Sequence, residues 1–277
     1  MHELPQFEAY INGQRVKPHS GEYFETVNPY TSKVWAEVAR CDERDANDAV
    51  DAAHKAFLKG EWPAMTPTQR GALLRKFADL LSENAEELAR FEVRDNGKLI
   101  SEMGAQCAYI PQWYYYYGGL ADKVEGSVIP SDKPDIFNYT RHEPLGVLAA
   151  ITPWNSPLLL LSFKLAPLLA AGNTVVIKPS EFTSTSTLRF VELFKKAGFP
   201  DGVVNVVTGF GADVGARLVE HPKVAKIAFT GGSESGARVY QAAAAGLKRC
   251  TLELGGKSPN IIFDDADLDN AVKGAIS

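Results

Sequence analysis

The sequence predicts an α/β protein built on a doubly wound parallel sheet, and three observations carry that expectation. From Leu145 onward short, β-branched apolar runs recur: "LGVLAAI", "TVVIKP", "VVNVVTG", "KIAFTGG", "TLELGG" and "NIIFDD". Most are separated by helix-length segments, and runs that are apolar almost throughout suit strands covered by helices on both faces. Glycine, lysine or carboxylate residues follow four successive runs, where the carboxyl ends of the strands would lie and where such sheets collect ligands.

The elements before this region are read in order. "YINGQRV" sets Asn12-Gly13, a strong hairpin signal, between two strand-like pieces, and "TVNPYTSKVWAEVA" continues with a turn and another strand. Behind a capping Asp42, residues Ala46, Ala49, Val50, Ala53 and Phe57 recur at helical steps. Thr66-Pro67 reads as N-cap plus first helical residue for a helix facing inward with Leu73, Leu74, Phe77, Leu80 and Leu81. A further helix is expected to end at Asn96-Gly97. The stretch "CAYIPQWYYYYGGLAD" reads as one aromatic helix, with Trp113 and Tyr114 to Tyr117 directed all around it, into the core, an interface or a cavity. Residues 1–123 thus form a β edge with helices, 124–143 a projecting hairpin broken by Pro and Asp, and 144–277 a Rossmann-like sheet.

Bulk properties exclude several classes. A formal charge of −5, with 29 basic residues spread along 277, provides no basic stripe for nucleic acid or anionic lipid. The N-terminus lacks the basic and apolar regions of a secretory signal, so a cytoplasmic location is expected. The longest apolar run, "SPLLLLSFKLAPLLAAG", is interrupted by Lys164 and Pro167 and falls short of the ~20 residues that cross a bilayer. Cys41, Cys107 and Cys250 are far apart, without CxxC or histidine at ligand spacing, which supports neither a disulfide scaffold nor a metal site.

Each strand-end motif has a plain reading beside a chemical one. "GGSESG" places Gly231 and Gly236 at a helix start, where backbone N–H groups attract a diphosphate; a glycine turn needed only for packing has the same appearance. "TGFGADVG", with Gly211, is equally ambiguous. Lys178 and Glu181 could hold ribose hydroxyls, the carboxylate disfavouring a 2′-phosphate, or could be a solvated pair. Asn155 in "TPWNSP" could donate to a developing oxyanion or merely form a turn.

Together and in this order, "TPWNSP", "KPSE", "FTGGSESG" and "LELGGKSP" resemble the aldehyde dehydrogenase superfamily, and the likeness spans nearly the whole chain. It implies the N-terminal, cofactor-binding portion of that fold. NAD is the implied cofactor, NADP being less favoured, and a small-molecule aldehyde the substrate. The complete enzyme would be a homo-oligomer, dimer or tetramer, using the 124–143 hairpin. By the same resemblance Asn155 is the oxyanion-hole amide, and Ile151, Thr152, Pro153 and Trp154 lie along the cofactor. Lys178, Ser180 and Glu181 hold the adenosine ribose, with Gly211 nearby. Phe229, Thr230, Gly231, Gly232, Ser233 and Gly236 frame the diphosphate. Leu254 and Gly255 pass the nicotinamide, and Glu253 is the general base. Gly232 stands where the family often has serine, and Ser233 could replace that hydroxyl. The aromatic run would line part of a substrate tunnel.

In the family a cysteine thiolate attacks the aldehyde, hydride leaves the hemithioacetal for NAD⁺, and water activated by the glutamate releases the acid. That cysteine falls roughly 35 residues beyond the glutamate, past Ser277. The expectation is therefore a chain lacking the catalytic-cysteine domain, able to bind NAD without turnover. Cys250, three residues before Glu253 on one strand, would point to the opposite face. The alternatives are a non-catalytic nucleotide-binding protein, against which Asn155 and Glu253 speak, and a CoA-acylating semialdehyde dehydrogenase, against which Glu253 speaks.

Overall fold

The computed structural model describes residues 4–276. The chain opens with β1 (Gln6–Phe7), β2 (Ala9–Ile11) and β3 (Gln14–Val16). Asn12 and Gly13 adopt φ of 52° and 74°, the left-handed pair that a tight two-residue hairpin needs, and Ile11 pairs with Gln14 across them. A second hairpin joins β4 (Tyr23–Asn28) to β5 (Lys33–Ala39), and β1 adds to β5 to make a separate three-stranded sheet.

Helices follow with the caps that the sequence announces. In α1 (Glu43–Leu58) the Asp42 carboxylate accepts from the Arg44 N–H, and Asp45 reaches back to the Asp42 N–H. After the short α2 (Glu61–Ala64), Thr66 and Gln69 form the reciprocal cap of α3 (Pro67–Glu83), and α4 (Ala85–Asn96) stops at Gly97 with φ 73°. The aromatic stretch is two helices rather than one, α5 (Ile100–Tyr109) and α6 (Pro111–Leu120), because Pro111 has no N–H to continue the ladder. Residues 124–143 project as expected, paired only through β6 (Val128–Ile129) and β7 (Asn138–Tyr139), and all of them are exposed.

The main sheet is then wound from β8 (Val147–Ile151), α7 (Pro157–Ala170), β9 (Thr174–Lys178), α8 (Thr185–Ala197) and β10 (Val204–Val206). A single π-helical turn, Gly211–Gly215, runs into α9 (Ala216–Glu220). The chain returns through β11 (Val224–Thr230), α10 (Ser233–Ala245) and β12 (Arg249–Glu253), and α11 (Leu268–Ile276) follows an exposed loop. The strand order is β12-β11-β8-β9-β10-β2-β3, parallel from β12 to β10 and antiparallel for β2 and β3. From β8 the chain steps outward through β9 and β10, then restarts on the other side of β8 with β11, so the winding reverses between β8 and β11.

Alternation along the strands divides the core. Leu148, Ala150, Val175 and Ile177 pack with the helices α3 and α6 to α8, whereas Val147, Ala149, Val176 and Ile227 pack with α1, α9 and α10. On the first side Phe77 stacks on Phe194 at 3.8 Å, with Tyr114 and Phe190 edge-on to it. Buried Trp62 ties the α1–α3 connection to the sheet by donating from Nε1 to the Gly172 carbonyl at 3.0 Å. Trp62→Phe strands that carbonyl and is expected to cost about 1–2 kcal/mol, read from the urea midpoint; an unmoved midpoint would mean that the bond contributes nothing net.

One predicted strand is absent: "NIIFDD" is loop, with Ile261, Ile262 and Phe263 at 70%, 52% and 73% exposure. A strand needs a ladder for its N–H and C=O groups, and no described strand runs beside 260–265. No helix among the described residues is long and apolar enough to cross a membrane.

Candidate functional site

Strand register gathers the four motifs at one end of the sheet, within two successive rows. Lys178 at the end of β9 pairs with Ile151 of β8, Ile151 with Phe229 of β11, and Thr230 with Glu253 of β12. The loops leaving these ends border an open cleft of about 1450 Å³ across the β8/β11 reversal. Ile151, Thr152, Pro153, Trp154 and Asn155 border it after β8, and Lys178, Ser180 and Glu181 after β9. Gly211 contributes after β10, Phe229, Thr230, Gly231 and Gly232 after β11, and Glu253, Leu254 and Gly255 after β12.

Two predicted residues stand apart. Ser233 is the exposed first residue of α10 and does not border the cleft. Gly236 lies beneath it, where an added Cβ would come within 2.4 Å of Leu254 Cδ2, so this glycine serves helix–strand packing.

The cleft residues fit a dinucleotide in three respects. Lys178 is buried, with Nζ 3.2 Å from Glu181 Oε2; burial lowers its pKa and the Glu181 charge opposes that, giving an ammonium and a carboxylate fixed side by side for hydroxyls. The first turn of α10 has no side-chain cap at Gly232, so its N–H groups are open to an anion. Nothing lies within 4 Å of the Cβ position at Gly232, hence serine is not sterically excluded there. Thr152 Oγ1 is buried in the cleft wall with no partner among the described residues.

Asn155 is exposed to the cleft on a loop held from behind. Its carbonyl accepts from Asn96 Nδ2 at 3.3 Å, Ser156 Oγ is bonded by Lys98 Nζ at 3.2 Å, and the Leu158 N–H donates to Glu92 Oε1 at 2.8 Å. Glu92 is fully buried; desolvation raises its pKa to about 7, against the Leu158 N–H. Sequence reasoning missed this brace and also Lys164, whose Nζ lies 2.5 Å from Thr230 Oγ1. Burial lowers the Lys164 pKa and the charge of Glu253 opposes it, so ammonium and carboxylate share one field. The signal for Lys164 was the break that it makes in an apolar run.

The model of the aldehyde dehydrogenase family matches residues 16–277. The chain belongs to the aldehyde dehydrogenase family. It is 48% identical over 99% of its length to (Z)-2-((N-methylformamido)methylene)-5-hydroxybutyrolactone dehydrogenase of Acinetobacter baylyi, covering 56% of that protein. It is 46% identical over 99% of its length to aldehyde dehydrogenase family 2 member C4 of Arabidopsis thaliana, covering 55% of it. The NAD⁺ complex of an aldehyde dehydrogenase from Bacillus cereus superposes with a TM-score of 0.94 at 46% identity, over 98% of this chain and 55% of that one. A betaine aldehyde dehydrogenase mutant from Staphylococcus aureus, also an NAD⁺ complex, matches with a TM-score of 0.94 at 42% identity, over 97% of this chain and 54% of that one. The chain thus spans about half the length of the aldehyde dehydrogenases that it matches.

None of the three thiols is in a setting that activates sulfur. Burial pushes the Cys41 thiol up to about 12 and raises Cys107 and Cys250 as well. Cys250 and Leu252 pack inward on the α9–α10 side of the sheet, while Thr251 and Glu253 border the cleft. Tyr114 to Tyr117 do not border this cleft. Tyr114 is buried against Phe77, and Trp113 reaches the cleft only through Phe163, 4.4 Å away. The reason is the placement of α6 against α3 and α7, behind the cleft wall.

Proposed function

We propose that this chain binds NAD⁺ in the cleft and contributes the oxyanion donor and the general base of an aldehyde oxidation to a carboxylic acid. The carrying observation is the register that aligns Lys178, Ile151 and Phe229 in one row at the winding reversal and sets the Thr230–Glu253 pair in the next. Lys178 and Glu181 take the adenosine ribose hydroxyls, and the Glu181 carboxylate disfavours the 2′-phosphate of NADP. The uncapped start of α10 at Gly231 and Gly232 receives the diphosphate, with Gly236 keeping the helix close. Trp154 packs along the cofactor, and Leu254 and Gly255 run past the nicotinamide, which when bound supplies the hydride acceptor. That the Bacillus cereus and Staphylococcus aureus proteins are NAD⁺ complexes supports this choice of cofactor.

Within this reading the Asn155 side-chain amide donates to the aldehyde oxygen as charge develops there. Glu253 takes the proton of the attacking water, with the Lys164 ammonium in the same field. The nucleophile is none of Cys41, Cys107 and Cys250, so the 277-residue chain alone binds NAD⁺ without turnover. The complete protein is a homo-oligomer that uses the exposed 124–143 hairpin.

The test is calorimetry with NAD⁺ on the purified chain, followed by NADH fluorescence after mixing it with NAD⁺ and a panel of aldehydes, before and after thiol alkylation. The expected result is binding without NADH. Absence of binding sinks the cleft assignment, and alkylation-sensitive NADH would return one of the three thiols to the chemistry.

A further inference from the structure

We propose that Glu92, acting with Asn96 and Lys98, is a positioning residue that sets the placement of Asn155 from the C-terminal end of α4. The inference rests on the reading of Asn155 as the oxyanion donor.

The start of α7 lacks a local cap. Ser156 occupies the N-cap position, but its side chain makes no capping bond and its Oγ is engaged by Lys98 instead. Pro157 follows with no N–H to cap. Leu158 therefore carries the first free amide after the loop, and it is satisfied from another helix, by Glu92 at 2.8 Å. Asn96, one turn further along α4, grips the Asn155 carbonyl itself. The loop between these two holds is only Asn155, Ser156 and Pro157, and the proline ring stiffens it. A change in how strongly Glu92 accepts from Leu158 is thus passed to Asn155 through a short, rigid lever.

Glu92 is enclosed by Cys107 of α5, whose Sγ lies 3.8 Å from Oε2, by Lys98 and Asp95 of its own segment, and by the first turn of α7. The positive end of the α7 dipole and the Lys98 charge favour its ionised form, while burial opposes it and keeps its titration near neutral pH. A group that served only to join α4 to α7 could do so as a glutamine. A carboxylate alters its bond to Leu158 when it gains or loses a proton.

The test is a pH titration of the deuterated, ¹⁵N-labelled 277-residue chain by NMR. The Leu158 backbone amide and the Asn155 side-chain amide are expected to shift together with one midpoint near neutral. Glu92→Gln should abolish both titrations, and Asn96→Ala should leave that of Leu158 while reducing that of Asn155. An Asn155 amide that stays still while Leu158 titrates, or that titrates unchanged in Glu92→Gln, overturns the proposal. Should Glu92→Gln fail to fold, the two midpoints in the unmodified chain decide: equal midpoints support the coupling and unequal ones reject it. NAD⁺ binding measured on the same samples judges the functional reading separately, since both titrations are recorded without cofactor.

Discussion

Lys178→Met is expected to weaken NAD⁺ binding by about ten- to a hundredfold without harming the fold. The ammonium is nearly enclosed, with 5% of its side chain exposed, and Glu181 holds it in place. A ribose hydroxyl thus meets a donor already desolvated and oriented, and a charge-assisted bond of this kind contributes about 1.5–3 kcal/mol, one to two decades of affinity. Methionine keeps the volume of the stem and removes a buried charge, so stability should be unchanged or slightly higher. Quenching of Trp154, which is half exposed on the cleft wall, supplies the binding signal. Glu181→Gln should lose less NAD⁺ affinity and gain relative affinity for NADP⁺. Undiminished NAD⁺ binding by Lys178→Met would move the ribose elsewhere.

The chain is also expected to lose stability as pH rises from about 5 to 8. Glu92 and Asp95 are buried carboxyls whose pKa desolvation lifts to about 7, the second against bonds from the Thr185 N–H and hydroxyl. In the unfolded chain both ionise near the usual carboxylate range, so between these limits the folded state binds more protons. Stability from these groups is therefore fully present below the unfolded pKa and is lost as pH climbs through 7. Each contributes up to about 3 kcal/mol. His221, lowered by burial, works the other way through a single ring. Urea midpoints at four pH values should fall across the window, and Glu92→Gln with Asp95→Asn should flatten the slope. A midpoint rising toward pH 8 would show both carboxyls ionised in the folded protein.

What was legible in the sequence was mostly local chemistry. The Asn12-Gly13 hairpin, the Asp42 and Thr66 caps and the Gly97 stop depend on neighbours a few residues away, and each stands where its residues say. The β-branched runs of β8 to β12 announced a buried parallel sheet because both faces of such strands must be apolar. "NIIFDD" has the same composition, but composition does not say whether a partner strand lies alongside. Spacing located the start of α10 and left open which of its residues face the cleft, so Ser233 and Gly236 were grouped with Gly231 and Gly232. Glu92, Asp95 and Lys164 were passed over for a related reason. A charged residue on an amphipathic helix reads as solvated until another element is seen to cover it, and what covers these comes from α5, α7, α8 and β11.

The reversal of winding between β8 and β11 also governs when a ligand site can exist during folding. Val147 and Val224 are paired neighbours in the sheet, yet the chain must first complete β9, α8 and β10 on the far side before β11 returns to β8. The two walls of the cleft consequently meet only through a late, long-range closure. A molecule with its α3–α6–α8 core assembled but β11 undocked would have native helical content and nowhere for a dinucleotide to sit. By mass action, ligand then stabilises only the fully closed chain, and recovery of binding on refolding should lag behind recovery of helix.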